Sequence, residues 1–141
     1  MKKIFISSDH AGFKLKESIK LYLKRKKLEF TDLGPINDKK VDYPEYAHKV
    51  AKKVKNNINH VGILVCGSGM GMNIAANRHK NIRAAQCFNL KSTKLSRLHN
   101  DANIITLGSR LLSKNNALKC VNIFLSTKFE GGRHSKRIKK I

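Results

Sequence analysis

A cysteine followed by a glycine-rich loop is the part of this sequence best suited to chemistry. The apolar residues 63–65 lead into Cys66, and Gly67, Gly69 and Gly71 follow at every second position before a predicted helix. A thiol at the start of a helix lies among free backbone N–H groups, which favour a thiolate and bind anions. Cys66 is therefore a candidate nucleophile or general base, beside a candidate oxyanion or phosphate cradle.

The spacing of the loop argues against a dinucleotide site. It is GxGxG, because position 72 is Met, and no acid lies about 20 residues further on to hold a ribose hydroxyl. A dinucleotide site is thus a poorer interpretation than a compact phosphate or oxyanion cradle, and a flavodoxin-like cofactor module remains a separate alternative. The remaining alternative is that the glycines only permit a tight strand-to-helix turn. Cys87 and Cys120 are interpreted as inert small hydrophobic residues.

Two further polar segments follow predicted strands. Asp9 and His10 come after the first strand, and Arg110 comes after the fifth. Because ligands bind at the carboxyl ends of parallel strands, we expect these side chains near Cys66. An acid next to an imidazole suits proton transfer or phosphate binding, whereas the alternative is that Asp9 only caps the first helix.

A second set of candidates lies later in the chain. His99 and Asn100 end a predicted helix that returns to the opposite edge of the sheet, far from Cys66 in the same copy. Either they are structural, or a second copy brings them to the pocket, and we favour a dimer with composite sites. Arg133 and Arg137 share a helix face at a spacing of four. They form either a phosphate clamp or a solvated basic tail.

The elements that position these residues alternate between strand and helix. Five such strands predict a parallel α/β sheet covered on both faces, a single-domain three-layer sandwich over residues 1–141 with a basic helical tail at 127–141. The predicted strands are 3–7, 28–33, 61–65, 82–86 and 103–107, and the predicted helices are 13–26, 44–54, 70–78, 91–99 and one capped by Ser113. Their expected inner faces are Leu15, Ile19, Tyr22 and Leu23; Ala47, Val50, Ala51 and Val54; Leu95 and Leu98; and Leu118, Val121 and Leu125.

Composition limits the class of protein. The chain carries 30 Lys and Arg against 9 Asp and Glu, a net charge of +21. Nucleic-acid binding is the obvious inference, but lysines spread along most of the chain favour solvated helix faces, so a specific nucleic-acid partner is the weaker alternative. The three cysteines have neither CxxC nor zinc spacing, so the sequence predicts no disulfide framework and no metal site. It predicts instead that the protein works in a reducing cytoplasm. No apolar run approaches the length of a membrane span.

Several segments together resemble the type B ribose-5-phosphate isomerases. The related galactose-6-phosphate and allose-6-phosphate isomerases share part of the pattern. The resemblance covers nearly the whole chain in one order, through Ser-Asp-His-Ala-Gly-Phe at 8–13, Asp-Tyr-Pro at 42–44, Cys-Gly-Ser-Gly-Met-Gly at 66–71, Ile-Ala-Ala-Asn at 74–77, Leu-Ser-Arg-Leu-His-Asn-Asp-Ala-Asn at 95–103, Gly-Ser-Arg at 108–110 and Phe-Glu-Gly-Gly-Arg-His at 129–134.

This resemblance implies an activity and an assembly. The family has a Rossmann-like five-stranded sheet and interconverts ribose 5-phosphate and ribulose 5-phosphate without a metal or an organic cofactor. It forms homodimers or dimers of dimers. The expected partner is thus a small sugar phosphate in the cytoplasm, with no membrane.

The resemblance also implies a role for each candidate. Cys66 matches the general base, His99 the ring-opening acid, and Asp9 a residue that contacts the sugar. Ser68 is expected to orient or relay a proton at a substrate hydroxyl. The implied substrate-binding residues are His10, Arg110, Arg133 and Arg137, chiefly for the phosphate, and Asn100 with the backbone of Gly67, Ser68, Gly69, Met70 and Gly71 for the enediolate.

Overall fold

The predicted alternation of strands and helices is confirmed in a computed structural model that describes residues 2–141. Strand and helix follow each other through four repeats, and a fifth strand is followed by two helices. The elements are β1 Lys3–Ser8, α1 Phe13–Arg25, β2 Phe30–Asp32, α2 Tyr43–Val54, β3 His60–Cys66, α3 Met70–Ala76, β4 Ala84–Gln86, α4 Leu90–Asn100, β5 Ile104–Gly108, α5 Lys114–Ser126 and α6 Arg133–Ile138.

All five strands form one parallel sheet in the order β2-β1-β3-β5-β4. The central strand β3 pairs with β1 and β5, so that Ser8 lies opposite Val65 and Gly108 lies opposite Cys66. The carboxyl ends of β1, β3 and β5 therefore meet at one edge, as the sequence predicts for a parallel α/β protein.

Two apolar layers enclose this sheet. Alternate residues of β3 face opposite sides, with Ile63 and Val65 packed under α1 and α5, and Leu64 and Cys66 packed under α2 and α3. Strands buried on both faces read as continuous apolar runs, which explains the uninterrupted segment before Cys66. The Cys66 side chain is thereby assigned to the layer formed with α2 and α3.

Most of the predicted helix faces are confirmed. The stripe of α2, Ala47, Val50, Ala51 and Val54, is fully buried. Ser113 caps α5 by accepting a hydrogen bond from the N–H of Asn116 at 3.2 Å. In α5 the buried residues are Ala117, Cys120, Val121 and Phe124, while Leu118 and Leu125 pack at its margins. No helix within residues 2–141 has the length and apolar character needed to cross a membrane.

The predicted inner face of α4 is wrong. Leu95 and Leu98 are only half-buried, and the helix instead buries Thr93, Ser96 and Arg97. Polar side chains tolerate burial when they are hydrogen-bonded. The Thr93 hydroxyl donates to the carbonyl of Asn89 at 2.8 Å, and the Ser96 hydroxyl donates to that of Thr93 at 2.8 Å. These bonds stay within one turn of helix, so hydrophobic spacing does not reveal them.

The two outer strands of the sheet and one helix are shorter than predicted. The outer strand β2 covers only Phe30–Asp32 of the expected 28–33, and β4 only Ala84–Gln86 of 82–86. Helix α3 ends at Ala76 rather than at position 78. Outer strands have one hydrogen-bonding neighbour, so apolar residues beside them, such as Ile82, join the core without joining the ladder.

Candidate active site

The Cys66 thiol lies at the carboxyl end of β3 with a hydrogen-bond donor already in place. Its Sγ accepts a bond from the backbone N–H of Gly69 at 3.1 Å. The residue is only 4% exposed, so this N–H is its principal polar partner. A preorganised donor of this kind stabilises negative charge without reorganisation when the sulfur loses its proton.

Close backbone contacts require glycine at two positions, one in the loop after β3 and one at the end of β5. Gly69 has φ 78°, in the left-handed region, and a Cβ there would lie 3.0 Å from the carbonyl carbon of Leu107. A Cβ on Gly108 would come within 2.6 Å of the backbone of Ser68. The loops after β3 and β5 thus touch backbone to backbone, which brings the Gly69 N–H to the sulfur.

Hydrogen bonds connect the loops that follow β1, β3 and β5. The N–H groups of Ser109 and Arg110 donate to the carbonyls of Cys66 at 2.8 Å and of Gly67 at 2.9 Å. The Ser109 hydroxyl donates to the carbonyl of Ala11 at 2.9 Å. The exposed Arg110 guanidinium lies against Gly67, where a Cβ would be 2.8 Å from Nη1. A fixed positive charge therefore stands beside the glycine loop.

Asp9 lies next to β3, as the edge argument predicts. Its N–H donates to the carbonyl of Val65 at 3.1 Å, and the residue is 7% exposed. Its Oδ1 accepts the N–H of Gly12 at 2.9 Å. Asp9 stabilises the turn into α1 rather than serving as its N-cap, a position that Gly12 occupies. Because Oδ1 is engaged, Oδ2 is the oxygen available to a ligand.

His10 joins the site to the long loop before α2. Its Nδ1 accepts the backbone N–H of Val41 at 3.3 Å. In the neutral ring the proton therefore sits on Nε2, which leaves that nitrogen as a donor. A donor beside Asp9 suits a sugar hydroxyl or a phosphate oxygen.

Two of the five N–H groups of residues 67–71 are already donated inside the loop. The N–H of Gly69 binds Cys66, and that of Met70 binds the Ser68 hydroxyl at 3.2 Å. These two groups serve an enediolate only if their present acceptors release them. The half-buried Ser68 also accepts a bond through its carbonyl, from the side-chain amide of Gln86 at 2.9 Å.

Sequence reasoning missed two residues at this edge. Gln86 ends β4, so the rule that selected Asp9 and Arg110 also applies to it. Tyr43 begins α2, and its ring lies so close to Gly71 that a Cβ there would fall within 2.6 Å. The only sequence signal for Tyr43 is its place in the Asp-Tyr-Pro segment.

The second set of candidates lies at the opposite edge of the sheet. His99 and Asn100 end α4, just before β5 begins at Ile104, whereas Cys66 pairs with Gly108 at the far end of β5. Four steps along a strand span about 13 Å. The carbonyl of Asn100 accepts a bond from the Arg83 side chain at 2.9 Å. Within one copy, the structure therefore does not bring these two residues to the thiol.

The C-terminal tail joins this second group. Helix α6 packs on α4 and carries Arg133 and Arg137, both exposed and four residues apart. The His99 ring stacks on that of His134 with centroids 4.3 Å apart and planes 15° apart. Glu130 lies beside both rings, and one ligand atom from each of these three residues lies within 4.8 Å of the other two. These three residues have the chemistry of metal ligands, although nearly parallel imidazoles do not direct their lone pairs to one point.

Comparison with known proteins supplies one family for this arrangement. A family model described as Ribose/Galactose Isomerase matches residues 4–141. Ribose-5-phosphate isomerase B of Escherichia coli is 42% identical over 141 residues, which are 100% of this chain and 95% of that protein.

Solved structures give the same result. A ribose 5-phosphate isomerase of Thermotoga maritima matches with a TM-score of 0.95 at 50% identity, over 99% of this chain and 96% of that one. Ribose-5-phosphate isomerase B of Mycoplasma genitalium with bound ribulose-5-phosphate matches with a TM-score of 0.94 at 45% identity, over 98% of this chain and 92% of that one.

Proposed function

Because the chain belongs to the Ribose/Galactose Isomerase family and is an isomerase, we propose that it interconverts ribose 5-phosphate and ribulose 5-phosphate with Cys66 as general base. The observation that carries the proposal is the Cys66 sulfur, held at a strand end with the Gly69 N–H donated to it. The bound ribulose-5-phosphate of the Mycoplasma genitalium relative supports the choice of substrate.

The reaction moves one proton between neighbouring carbons. The Cys66 thiolate takes the proton from C2 of the open aldose, the electron pair forms the C1–C2 double bond, and the aldehyde oxygen O1 becomes negative. The hydroxyl proton of O2 passes to O1, a transfer that we assign to the Ser68 hydroxyl as relay. Cys66 then returns its proton to C1, which leaves the ketone at C2. A single base serves both steps because C1 and C2 are adjacent.

The charge on the enediolate needs donors that are in place beforehand. The loop of residues 67–71 supplies backbone N–H groups, and Arg110 adds a positive charge beside Gly67. Asp9 contributes its free Oδ2 to a sugar hydroxyl. The phosphate is remote from the reacting carbons, so its binding energy serves to position them.

The ring-opening step requires groups that a single copy keeps at the other edge. We assign it to His99 and Asn100 of a second copy in a homodimer or a dimer of dimers. Exposed apolar side chains on α3 and after β4 support a covered surface there, namely Met70, Ile74 and Phe88. Arg133 and Arg137 of the second copy then join His10 and Arg110 around the phosphate.

The test of this function is turnover of purified protein in the presence of a chelator. Ribose 5-phosphate, allose 6-phosphate and galactose 6-phosphate are compared at equal concentrations. We expect ribose 5-phosphate to give the highest kcat/KM. A higher kcat/KM for either hexose phosphate would make that sugar the substrate but would leave the proposed aldose–ketose isomerisation in place. No turnover of any of the three would contradict the proposal.

The sulfur chemistry supports a proposal about the cellular setting. Cys66, Cys87 and Cys120 are all free thiols. Reduced thiols persist where glutathione and thioredoxin operate, so we place the enzyme in the cytoplasm.

A further inference from the structure

We propose that Glu130 and His134 are positioning residues that hold the His99 ring in the orientation in which it opens the sugar ring. This inference rests on the proposed function, because His99 is the ring-opening group only if the chain acts on a cyclic sugar. Neither Glu130 nor His134 is among the candidate site residues that the sequence predicts.

The two rings and the carboxylate form a compact group. The His99 and His134 rings stack at 4.3 Å with an interplanar angle of 15°. Oε2 of Glu130 lies 3.8 Å from Nε2 of His99 and 3.7 Å from Nε2 of His134. One carboxylate thus lies near both imidazoles, just beyond hydrogen-bond distance of either, and the stacked His134 ring restricts the plane of the His99 ring.

Two hydrogen bonds tie the segment before α6 to helix α4. The N–H of Glu130 donates to the carbonyl of Leu98 at 3.1 Å, one residue before His99. The buried Arg97 donates through Nε to the carbonyl of Thr127 at 3.2 Å. The segment that leads into α6 is therefore tied to the last turn of α4.

His134 is built as a platform and not as an acid. It is only 5% exposed, and its Nε2 is buried without a hydrogen-bond partner among residues 2–141. Burial first, and then the positive charges of His99 and Arg133, lower the pKa of His134; Arg137 acts in the same direction and Glu130 opposes them. A neutral His134 leaves His99, which is more exposed, as the ring of the pair that exchanges protons with a ligand.

Glu130 has a different role, which is electrostatic. A carboxylate 3.8 Å from Nε2 of His99 favours the tautomer of the neutral ring that carries its proton on that nitrogen. The orientation and the tautomer of His99 are then both set before the sugar arrives. Preorganisation of this kind lowers the cost of the proton transfer.

A metal site is the competing interpretation of the same three side chains. The nearly parallel rings direct their lone pairs along parallel lines, so one ion cannot lie in the plane of both. Arg133 and Arg137 add positive charge nearby, which opposes a cation. The geometry therefore favours a proton-holding group.

The first test is the tautomer and protonation of His99, read from ¹⁵N chemical shifts of its imidazole across a pH titration. It uses the full-length protein and the variants Glu130→Gln and Lys136→Gln, the latter a change to glutamine at an exposed position of α6. We expect a proton on Nε2 in the wild type and in Lys136→Gln, and a mixture of tautomers in Glu130→Gln. Identical His99 spectra in all three proteins would overturn the role of Glu130.

The second test separates ring opening from proton transfer between carbons. Ribulose 5-phosphate cannot close a five-membered ring, because its 5-oxygen carries the phosphate. In D₂O an enediolate that returns to ribulose 5-phosphate carries deuterium into C1, whereas one that goes forward gives net conversion. The ratio of deuterium incorporation to net conversion therefore reports how often the enediolate returns before the ring closes. We expect this ratio to rise about tenfold in His134→Ala and in Glu130→Gln, since positioned acid–base groups contribute at least this much.

The conservative variant completes the test. His134→Phe keeps an aromatic platform, so we expect a ratio of exchange to conversion within about twofold of the wild type. A purely structural loss would lower exchange and conversion by the same factor and would leave their ratio unchanged. An unchanged ratio in His134→Ala overturns the proposal, and so does stoichiometric Zn²⁺ binding that His134→Ala abolishes. Absence of any turnover would defeat the proposed function, while the ¹⁵N comparison still decides the role of Glu130.

Discussion

The two edges of the sheet carry candidate residues in different ways. At the carboxyl edge, Cys66 ends β3, and Asp9 and Ser68 lie on short loops that backbone hydrogen bonds tie to the neighbouring strands and loops. At the opposite edge, His99 ends a helix, and Arg133 stands on a short helix at the end of the chain. The proposed general base is thus held at the end of a central strand, while the groups proposed for ring opening and phosphate binding lie on α4 and on the tail that packs against it.

This difference indicates a division of labour. A general base must stay within a few tenths of an ångström of its carbon, so it benefits from a loop that the sheet fixes. Groups that bind phosphate and open a ring contact a substrate that enters and leaves. A second copy can bring them to the thiol without strain in either edge.

The largest expected effect is at the carboxyl edge. Cys66→Ala removes the base, so kcat should fall by about 10²–10⁴, the usual contribution of general acid–base catalysis. Far-ultraviolet circular dichroism should stay unchanged. Cys120→Ala, which removes a buried sulfur from α5 far from the site, should keep the activity and lower only Tm. Activity near that of the wild type in Cys66→Ala would remove Cys66 from the mechanism.

A smaller effect is expected from the tail. Arg137→Ala removes a charged donor for the phosphate, and KM should rise about tenfold with kcat little changed, because the phosphate is held equally before and during the reaction. Steady-state kinetics with ribose 5-phosphate measure this change, and Lys136→Gln is the control. An unchanged KM would show that the phosphate binds elsewhere.

Alanine at a glycine of each edge should affect stability unequally. Gly69 and Gly131 both have positive φ, 78° and 71°, so an alanine at either costs about 1–2 kcal/mol of backbone strain. At Gly69 the added Cβ also meets the Leu107 carbonyl carbon at 3.0 Å, whereas at Gly131 the nearest atom is Ser135 Oγ at 3.8 Å. Chemical denaturation should show the greater loss in free energy of unfolding for Gly69→Ala. Equal losses would mean that both loops accommodate the added methyl group at the same cost.

The smallest expected effect concerns the other two thiols. Burial raises the pKa of the Cys87 thiol and of the Cys120 thiol, so each of them loses its proton at a higher pH than an ordinary cysteine does. Iodoacetamide near neutral pH should therefore modify Cys66 first, and ribose 5-phosphate should slow that reaction. Mass spectrometry of peptides identifies the site. Faster labelling of Cys87 would mean that the glycine loop does not activate its neighbour.

Much of the carboxyl edge could be predicted from the sequence. Strand-helix alternation implies a parallel sheet, and a parallel sheet places Asp9, Cys66 and Arg110 at one edge. The separation of His99 from Cys66 follows from the same reasoning, because α4 must return to the start of β5. These features depend on topology alone, which hydrophobic periodicity reveals.

The remaining features depend on contacts that no periodicity reveals. The polar inner face of α4 is stable because Thr93 and Ser96 satisfy their hydroxyls within the helix. The group of His99, Glu130 and His134 requires the tail to fold back over α4, and the bond from Arg97 to Thr127 that holds it there spans 30 residues. Individual side-chain contacts of this kind are specified by packing and not by pattern.

The central claim, that one site takes Cys66 from one copy and His99 from another, is tested most directly by mixing subunits. Cys66→Ala and His99→Ala proteins are each assayed alone, then unfolded together, refolded in equal amounts and assayed again. In a two-fold dimer, half of the mixed molecules pair unlike subunits and carry one intact site, so about a quarter of the wild-type activity should return. No recovery, with exchange of subunits verified by mass spectrometry, would contradict the account.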